Sequence, residues 1–393
     1  MLSQEHRSII AATVPILEQG GEALTRHFYL QLFKDFPEVL PLFNQAHQHS
    51  GDQQRALANG ILMYARNIER LEQLGPLVNT IVNKHVALQI LPEHYPMVGA
   101  SLLKAIREVL GAEVATDAVI DAWAAAYGQL ADILMGAEGD IYQEKKAAPG
   151  GWEGARKFVV SRKTVESDEI VSFQMTPQDG QPVLAFEPGQ CIGIRVTMDG
   201  AEMQRQYSLS AERNGVSYQI SVKREPMGLV SNFLHDHVNV GDAVDLFPPS
   251  GAFTLTAGDK PVVLISGGVG ITPTLAMLTS ALNTGRDVYF IHAARHGGVH
   301  AFRGMVDQLA ERHDNLRHYY CYAESRDGDA EPDAVGLIGP NHLAQWLPET
   351  RDVDAYFLGP VPFMKAVKSS LREVGVPEAQ TSYEFFGPAS ALA

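Results

Sequence analysis

The stretch VVLISGGVGITP, residues 262–273, decides the fold of the second part of this chain. Its first four residues are apolar, as in a buried strand, and Gly267, Gly268 and Gly270 separate that strand from a helical pattern. Glycines at such a turn let backbone N–H groups approach a pyrophosphate, which the dipole of the following helix also favours. A tight turn without a ligand has the same composition, and Gly-x-Gly-x-x-Pro differs from the usual dinucleotide fingerprint. The stretch therefore predicts a strand, a turn and a helix of an α/β sheet, and its binding role needs other evidence.

The segments on either side of this stretch predict a multidomain chain. From residue 261 onward, buried strands alternate with helical stretches, which predicts a doubly wound parallel α/β sheet over residues 261–393. Residues 152–260 hold short β-rich runs, such as RKFVVSRKTV and IVSFQMTP, separated by Asp-Gly and Asn-Gly turns that are typical of an antiparallel β-barrel. Residues 144–151 have the composition of a flexible linker. In residues 1–143, apolar residues recur at three- and four-residue spacings, which predicts an all-α domain.

Composition and charge exclude several classes of protein. The 393 residues suffice for two or three domains, and 31 basic against 46 acidic residues leave a net charge of −15, which argues against binding to duplex DNA. Two cysteines can form neither a disulfide framework nor a tetrathiolate metal site. The amino terminus lacks a basic segment before an apolar core, and no apolar run reaches the ~18 residues of a membrane span. These features predict a cytoplasmic protein without a membrane span and without nucleic acid as a partner. We also expect a monomer.

Two further motifs accompany the glycine-rich turn. The first lies at a strand start in the barrel and comprises Arg205, Gln206, Tyr207 and Ser208. The second opens a short helix and includes Gly228 and Ser231. An aromatic ring can stack on an isoalloxazine, while an arginine and a helix start can hold a pyrophosphate. A tyrosine that only packs in the barrel core is the simpler interpretation of Tyr207.

In this order, on a barrel followed by a parallel sheet, the motifs resemble the ferredoxin–NADP reductase superfamily over residues 152–393. The resemblance implies that FAD binds at the two barrel motifs and that NAD(P)H binds at the glycine-rich turn. The turn residues so implied are Gly268, Val269, Gly270, Ile271, Thr272 and Pro273. Residues implied to pack over the flavin are Phe385, Phe386, Gly387 and Pro388. Leu358 departs from the family, which commonly has cysteine before the Gly-Pro pair near the nicotinamide.

The sequence leaves the choice of dinucleotide open. An acidic residue at the end of the second strand would bind the ribose of NADH, whereas this strand, DVYFIHAAR, ends in Arg295. An arginine there could take a 2′-phosphate, and a surface arginine is an equal interpretation. The family favours NADH, and NADPH stays open.

The helical region contains a candidate haem pocket. His85 follows an apolar helix in NKHVALQILPEHYP, although a single histidine is more often a surface or packed residue than a metal ligand. Gln53 and Leu57 share a helix face at a four-residue spacing, Tyr29 lies on the preceding helix, and Phe43 follows in a helix connection. A haem–oxygen site requires one axial nitrogen and hydrogen-bond donors on the opposite face.

These residues resemble a globin, and with the reductase behind it the whole chain resembles the flavohaemoglobin family. The resemblance implies a globin in residues 1–143, with His85 as the proximal ligand of the iron of haem b. It places Tyr29, Gln53 and Leu57 in the distal pocket, with Phe43 as an aromatic wedge. The departure at Cys191, where the family has an aromatic residue beside the flavin, predicts weaker stacking.

The resemblance also implies residues that tune the two cofactors. Tyr95 and Glu138 match the pair that hydrogen-bonds the proximal histidine. A carboxylate there makes the imidazole more electron-donating, which favours oxygen activation over storage. Lys84 and Glu384 match positions between haem and flavin. Considered alone, Tyr95 would be interpreted as a capping tyrosine, and the other three residues would be interpreted as surface charges.

The expected activity is nitric oxide dioxygenation, with NO and O2 as substrates and electrons passing from NAD(P)H through FAD to haem. One alternative is a flavin, ferric or quinone reductase whose haem is incidental, and another is a gas sensor or store kept ferrous by its reductase. Without haem, the first domain would be an interaction module. Whether lipid occupies the distal pocket is left open.

Overall fold

The computed structural model describes residues 2–43, 51–198 and 200–386, except the side chain of Asp52. The chain forms two compact units. One contains the residues up to Ala147 and Thr197–Gln204, and the other contains Ala148–Val196 and Arg205–Phe386. Among the described residues, no helix is both long and apolar enough to cross a bilayer. The predicted domain limits, 1–143, 152–260 and 261–393, stay predictions.

The first unit is helical. Its helices are α1 (Gln4–Asp35), α2 (Asp52–Arg66), α3 (Gly75–Leu88), α4 (His94–Leu110) and α5 (Asp117–Ala147). Their apolar faces form two clusters: Phe28, Leu32 and Trp123 are buried in the larger one, and Val82 and Val86 of α3 are buried in the smaller one. Gly111 ends α4 with φ 74°, a backbone conformation that glycine adopts without strain.

The last helix of this unit is longer than the sequence indicates. Thr116 begins it, since its Oγ1 accepts a hydrogen bond from Val119 N at 3.4 Å. The helix continues to Ala147, so that the predicted linker of residues 144–151 overlaps it by four residues. Lysine and alanine are good helix formers, and two lysines in the last turn interact favourably with the helix dipole.

An antiparallel sheet follows the helices along the chain. Its strands are β1 (Arg156–Val165), β2 (Ile170–Pro177), β3 (Cys191–Met198), β4 (Ala201–Ser208), β5 (Tyr218–Lys223) and β6 (Ala243–Leu246), in the order β4-β3-β6-β1-β2-β5. Beyond the end of β4, Leu209 bridges Ile220 of β5, which brings the two edge strands together as in the predicted barrel. Helix α6 (Leu229–His237) follows β5.

A parallel sheet completes the second unit. Its strands are β7 (Val262–Gly267), β8 (Val288–Ala294), β9 (Leu316–Tyr322), β10 (Ala334–Val335), β11 (Asp354–Leu358) and β12 (Thr381–Tyr383). Its helices are α7 (Ile271–Asn283), α8 (Arg303–Ala310), α9 (Pro340–Trp346) and α10 (Val361–Glu373). The strand order β10-β9-β8-β7-β11-β12 reverses direction between β7 and β11. In such a doubly wound sheet, ligands bind beyond the carboxyl ends of the strands at that switch point, which is where the glycine-rich turn lies.

Candidate functional site

A histidine, a carboxylate and a tyrosine from three helices meet in the first unit. His85 lies in the last turn of α3, and its Nδ1 is 2.7 Å from Glu138 Oε1 on α5. Tyr95, at the start of α4, donates its hydroxyl to the same carboxylate oxygen at 2.7 Å and lies 3.2 Å from His85 Nδ1. Glu138 is only 2% exposed, so its negative charge is satisfied by these neighbours rather than by water. The three predicted proximal residues therefore form one hydrogen-bonded group.

Two tyrosines that the sequence analysis missed hold this group in place. Tyr127 donates to the carbonyl of Tyr95 at 2.6 Å, and Tyr142 donates to the carbonyl of Ile90 at 2.8 Å. Tyr142 follows Glu138 by four residues on α5, a spacing that puts both on one helix face and could have identified it. Burial first, and then the Glu138 carboxylate, raises the pKa of Tyr95, which keeps its phenol protonated as a donor.

The geometry assigns the two ring nitrogens of His85 different tasks. Because Nδ1 faces the carboxylate, it carries the proton, and Nε2 is the nitrogen whose lone pair can bind a metal. Within the described ranges, no group of three or more histidine, cysteine or acidic side chains is arranged to hold a metal ion. A single imidazole with a carboxylate behind it is the axial donor expected for a porphyrin iron.

Tyr29 and Gln53, the predicted distal donors, are brought together by α1 and α2. Their side chains are hydrogen-bonded, and burial raises the pKa of Tyr29 far above its usual value, so the phenol stays protonated. The ring centroid of Tyr29 lies 5.7 Å from Phe33 and 5.8 Å from Phe43. Leu57 and both phenylalanines pack against the same helical core. The predicted distal residues thus combine hydrogen-bond donors with an apolar, aromatic wall.

The RQYS motif lies on β4, where Arg205 and Tyr207 are two residues apart and therefore share a face of the sheet. Burial lowers the pKa of Arg205 and, opposed by the nearby guanidinium, raises that of Tyr207. Ser208 is buried and Gln206 is half-buried. A guanidinium beside an aromatic side chain suits a flavin ring and its phosphates.

The second barrel motif is a compact turn. Gly228 precedes α6, and Ser231 Oγ accepts from Glu225 N at 3.2 Å while donating to the carbonyl of Gly228 at 3.3 Å. A Cβ at Gly228 would lie 2.3 Å from Ser231 Oγ, so that a larger residue would displace the Ser231 side chain and its hydrogen bonds. In the part of the chain that the structure describes, no side chain caps the amino-terminal end of α6, so its first backbone N–H groups can bind an anion.

The glycine-rich turn packs tightly against the sheet. Gly268 has φ 55°, and a Cβ at Gly270 would lie 2.6 Å from the carbonyl oxygen of Leu358 at the end of β11. Thr272 Oγ1 donates to the carbonyl of Val269 at 3.0 Å. Ile271, Thr272 and Pro273 are buried in the first turn of α7, so contact with a dinucleotide would come from backbone atoms.

Further predicted residues lie at the carboxyl-terminal end of the chain and on α3. Phe385 packs edge-on against Tyr383 at 5.8 Å between ring centroids, and Phe386 is 51% exposed. Gly387 and Pro388 lie outside the described residues. Lys84 and Glu384 are half-buried, and their proposed tuning of the cofactors stays a prediction.

Cys191, the departure beside the predicted flavin site, is also half-buried. Its Sγ lies 3.3 Å from the carbonyl oxygen of Ser250.

Comparison with protein-family models divides the chain as its two sheets and helical unit do. Residues 26–134 match the globin model, residues 157–255 match the oxidoreductase FAD-binding domain, and residues 264–369 match the oxidoreductase NAD-binding domain. Among curated proteins, the flavohemoprotein of Pseudomonas putida is 65% identical over 392 residues, and that of Pseudomonas aeruginosa is 60% identical over 392 residues. Both alignments cover 100% of this chain and 100% of the relative. The chain belongs to the flavohaemoglobin family.

Solved structures agree with the family. A flavohemoglobin from Malassezia yamatoensis with bound FAD and heme is 27% identical, with a TM-score of 0.85, and the match covers 98% of this chain and 100% of that one. The flavohem-like FAD/NAD binding domain of nitric oxide dioxygenase from Vibrio cholerae is 40% identical, with a TM-score of 0.55, over 59% of this chain and 99% of that one. This flavohaemoglobin-family chain is therefore an oxidoreductase with a globin, an FAD-binding and an NAD-binding domain, and its cofactors are haem, FAD and a nicotinamide dinucleotide.

The residues present fit these three groups. His85, with its buried carboxylate partner, would hold the haem iron through Nε2, and the protonated Tyr29 phenol would donate a hydrogen bond to a small ligand. Arg205 and Tyr207 on one strand face suit FAD. The close approach at Gly270 leaves backbone atoms, rather than side chains, to meet a pyrophosphate.

Proposed function

We propose that this chain is a nitric oxide dioxygenase, which uses NAD(P)H and O2 to convert NO to nitrate and so detoxifies NO. The observation that carries the proposal is the pair of hydrogen-bonding contacts that His85 and Tyr95 make with the buried carboxylate of Glu138. Membership of the flavohaemoglobin family, and the similarity to part of the Vibrio cholerae nitric oxide dioxygenase, support it. In the balanced reaction, NO and O2 take up one electron per nitrate formed, and each hydride supplies two electrons.

The proximal residues make His85 a strong electron donor. When bound, haem supplies an iron for oxygen chemistry, and FAD converts a hydride into single electrons. Glu138 draws the Nδ1 proton of His85 toward itself, which raises the basicity of Nε2. Tyr95 shares the carboxylate and keeps it oriented toward the imidazole. This arrangement suits activation of oxygen better than reversible oxygen storage.

The distal residues select and polarise a small ligand. Burial keeps the Tyr29 phenol protonated, so that it can donate a hydrogen bond to oxygen, and Gln53 holds the phenol from one side. Phe33 and Phe43 line the same region with apolar surface, which favours small uncharged gases over polar substrates.

The reductase residues hold the electron donors. We propose that Arg205, Tyr207 and the turn at Gly228 position FAD, and that the Gly268–Gly270 turn positions the dinucleotide. Lys84 and Glu384 are proposed to tune the haem and flavin potentials. A cytoplasmic location and a monomeric state belong to the same proposal.

The test is an NO electrode trace with the haem- and FAD-loaded chain in aerated buffer containing NADH, followed by a nitrate assay. We expect rapid NO loss, with nitrate formed at about twice the amount of NADH oxidised. NO loss without nitrate would instead identify an NO reductase or a flavin reductase. Slow NADH oxidation in the presence of NO and O2 would identify a gas sensor. Either result would overturn the proposal.

A further inference from the structure

The loop after β8 lies where a doubly wound sheet selects its dinucleotide. Strand β8 pairs with β7, which leads into the glycine-rich turn, and ends at Ala294, immediately before Arg295. An acidic residue at the end of the second strand binds the ribose 2′-hydroxyl of NADH, whereas an arginine accommodates the 2′-phosphate of NADPH. By that rule alone, Arg295 indicates NADPH.

Arg295 is already paired with a carboxylate. Its Nη2 donates to Oε2 of Glu169 at 2.5 Å, across 126 positions of the chain and from the parallel sheet to the antiparallel one. The side chain of Glu169 is 17% exposed and that of Arg295 is 66% exposed, so the acid is the fixed member of the pair. Pairing of a guanidinium with a carboxylate is a charge-assisted contact of the same kind that a phosphate would make.

Backbone contacts hold Glu169 at this place. The loop between β1 and β2 docks on the loop after β8, because Asp168 N donates to the carbonyl of Gly298 at 3.0 Å. The carbonyl of Glu169 itself accepts from Arg224 N at 2.8 Å. The pair with Arg295 therefore belongs to a defined contact between the two sheets.

A second donor of the same loop is also occupied. Gly297 N donates to Asp329 Oδ2 at 2.9 Å, and this hydrogen bond is the main reason that the pKa of Asp329 is lowered. A Cβ at Gly298 would lie 2.5 Å from Asp168 Oδ2, so another carboxylate reaches the same loop. An arginine and a backbone N–H that could take a phosphate both hold carboxylates instead.

We propose that Glu169 determines the dinucleotide preference of this chain by occupying Arg295, so that the chain uses NADH in preference to NADPH. The inference rests on the proposed function only in taking a nicotinamide dinucleotide as the electron donor. A 2′-phosphate would have to displace Glu169 while approaching the carboxylates of Asp168 and Asp329. A ribose hydroxyl carries no charge and meets no such repulsion.

The test compares NADH and NADPH as reductants of the flavin in the haem- and FAD-loaded full chain, by anaerobic stopped flow. Wild type should prefer NADH. In Glu169→Gln, which keeps the shape but removes the charge, the NADPH-to-NADH ratio of second-order rate constants should rise about tenfold. Adding Arg295→Gln to that variant should abolish the rise. Glu187→Gln, which removes a carboxylate paired with Arg213 at 3.5 Å between two loops of the antiparallel sheet, should leave the ratio unchanged.

Binding provides a readout independent of electron transfer. By calorimetry, 2′,5′-ADP should bind Glu169→Gln about tenfold tighter than it binds wild type, while 5′-AMP should bind both equally. If Glu169→Gln fails to fold, the single variant Arg295→Gln tests the proposal. Because Glu169 already occupies this arginine in the wild type, its removal should lower the rate constant with NADPH by less than twofold.

Three results would each overturn the proposal: a wild-type preference for NADPH, an unchanged ratio in folded Glu169→Gln, or a loss of NADPH use greater than twofold in Arg295→Gln. Since NO and nitrate do not enter these assays, their outcome is separate from that of the dioxygenase test.

Discussion

Replacement of Glu138 by glutamine should raise the reduction potential of the haem. The substitution keeps the side-chain shape and leaves an amide oxygen that can still accept from His85 and Tyr95, now without a negative charge. Hydrogen bonds to charged groups contribute about 1 kcal/mol more than neutral ones. The bond between His85 and Glu138 transmits that difference to the iron, favouring the ferric state in the wild type.

About 1 kcal/mol corresponds to roughly 40 mV for a one-electron couple. We therefore expect the haem potential of Glu138→Gln, measured by spectroelectrochemical titration of the loaded chain, to lie roughly 40 mV above that of the wild type. We expect the whole of this shift in potential, because the side chain is 2% exposed and water therefore screens little of the charge that the substitution removes.

The chain contains a matched control on its surface. His27 Nε2 lies 2.6 Å from Glu108 Oε2, a pair of the same chemistry whose side chains are 32% and 44% exposed. Glu108→Gln should therefore leave the haem potential within a few millivolts of the wild type, and the Soret band should show full haem occupancy in both variants. A potential in Glu138→Gln that equals the wild-type value would refute the reasoning about His85.

Three further perturbations test other parts of the structure. Tyr29→Phe removes the distal donor and should speed O2 dissociation by about tenfold and lower NO turnover; unchanged release in stopped flow would reject that role. Gly270→Ala places a Cβ 2.6 Å from the carbonyl oxygen of Leu358, and urea titration should show a free energy of unfolding lower by about 2 kcal/mol or more. This variant should also bind NADH more weakly. In the control Gly304→Ala, the added Cβ meets nothing within 4 Å, and the free energy of unfolding should change by less than about 1 kcal/mol. Burial lowers the pKa of His292 to about 3, so its neutral form stabilises the fold above about pH 6.5, and that contribution is lost as the pH falls. The wild type should lose about 1.4 kcal/mol more per pH unit below pH 6 than His292→Gln does, and equal slopes would contradict this assignment.

Local sequence patterns were enough to predict most of the elements. The runs RKFVVSRKTV and IVSFQMTP coincide with β1 (Arg156–Val165) and β2 (Ile170–Pro177), because alternation and β-branched residues act within a single strand. Strand β9, with the sequence LRHYYCY, was not predicted, since its buried tyrosines look polar in sequence. Tertiary contacts explain its burial: Tyr320 donates to Asp307 and Tyr322 accepts from Arg303.

The functional groups depend on contacts that no local pattern contains. His85 and Glu138 are 53 positions apart, and only the resemblance to a family paired them before the structure did. Tyr127 and Tyr142, which hold the proximal group through backbone carbonyls, were not predicted at all. A side chain that bonds to a distant carbonyl leaves no signal in composition or spacing, because any residue can present the acceptor.

Arg295 shows the same limit with a chemical consequence. Its position at the end of β8 is where a doubly wound sheet is expected to select its dinucleotide, and its charge alone would predict NADPH, the opposite of the choice that we propose Glu169 imposes. Glu138 and Glu169 each place a carboxylate against a nitrogen of a side chain that could bind a ligand, the imidazole of His85 and the guanidinium of Arg295. At His85 the carboxylate takes the second nitrogen and strengthens the first, whereas at Arg295 it takes the guanidinium that the ligand would need. Whether an acid assists or competes therefore depends on which atom of its partner it occupies.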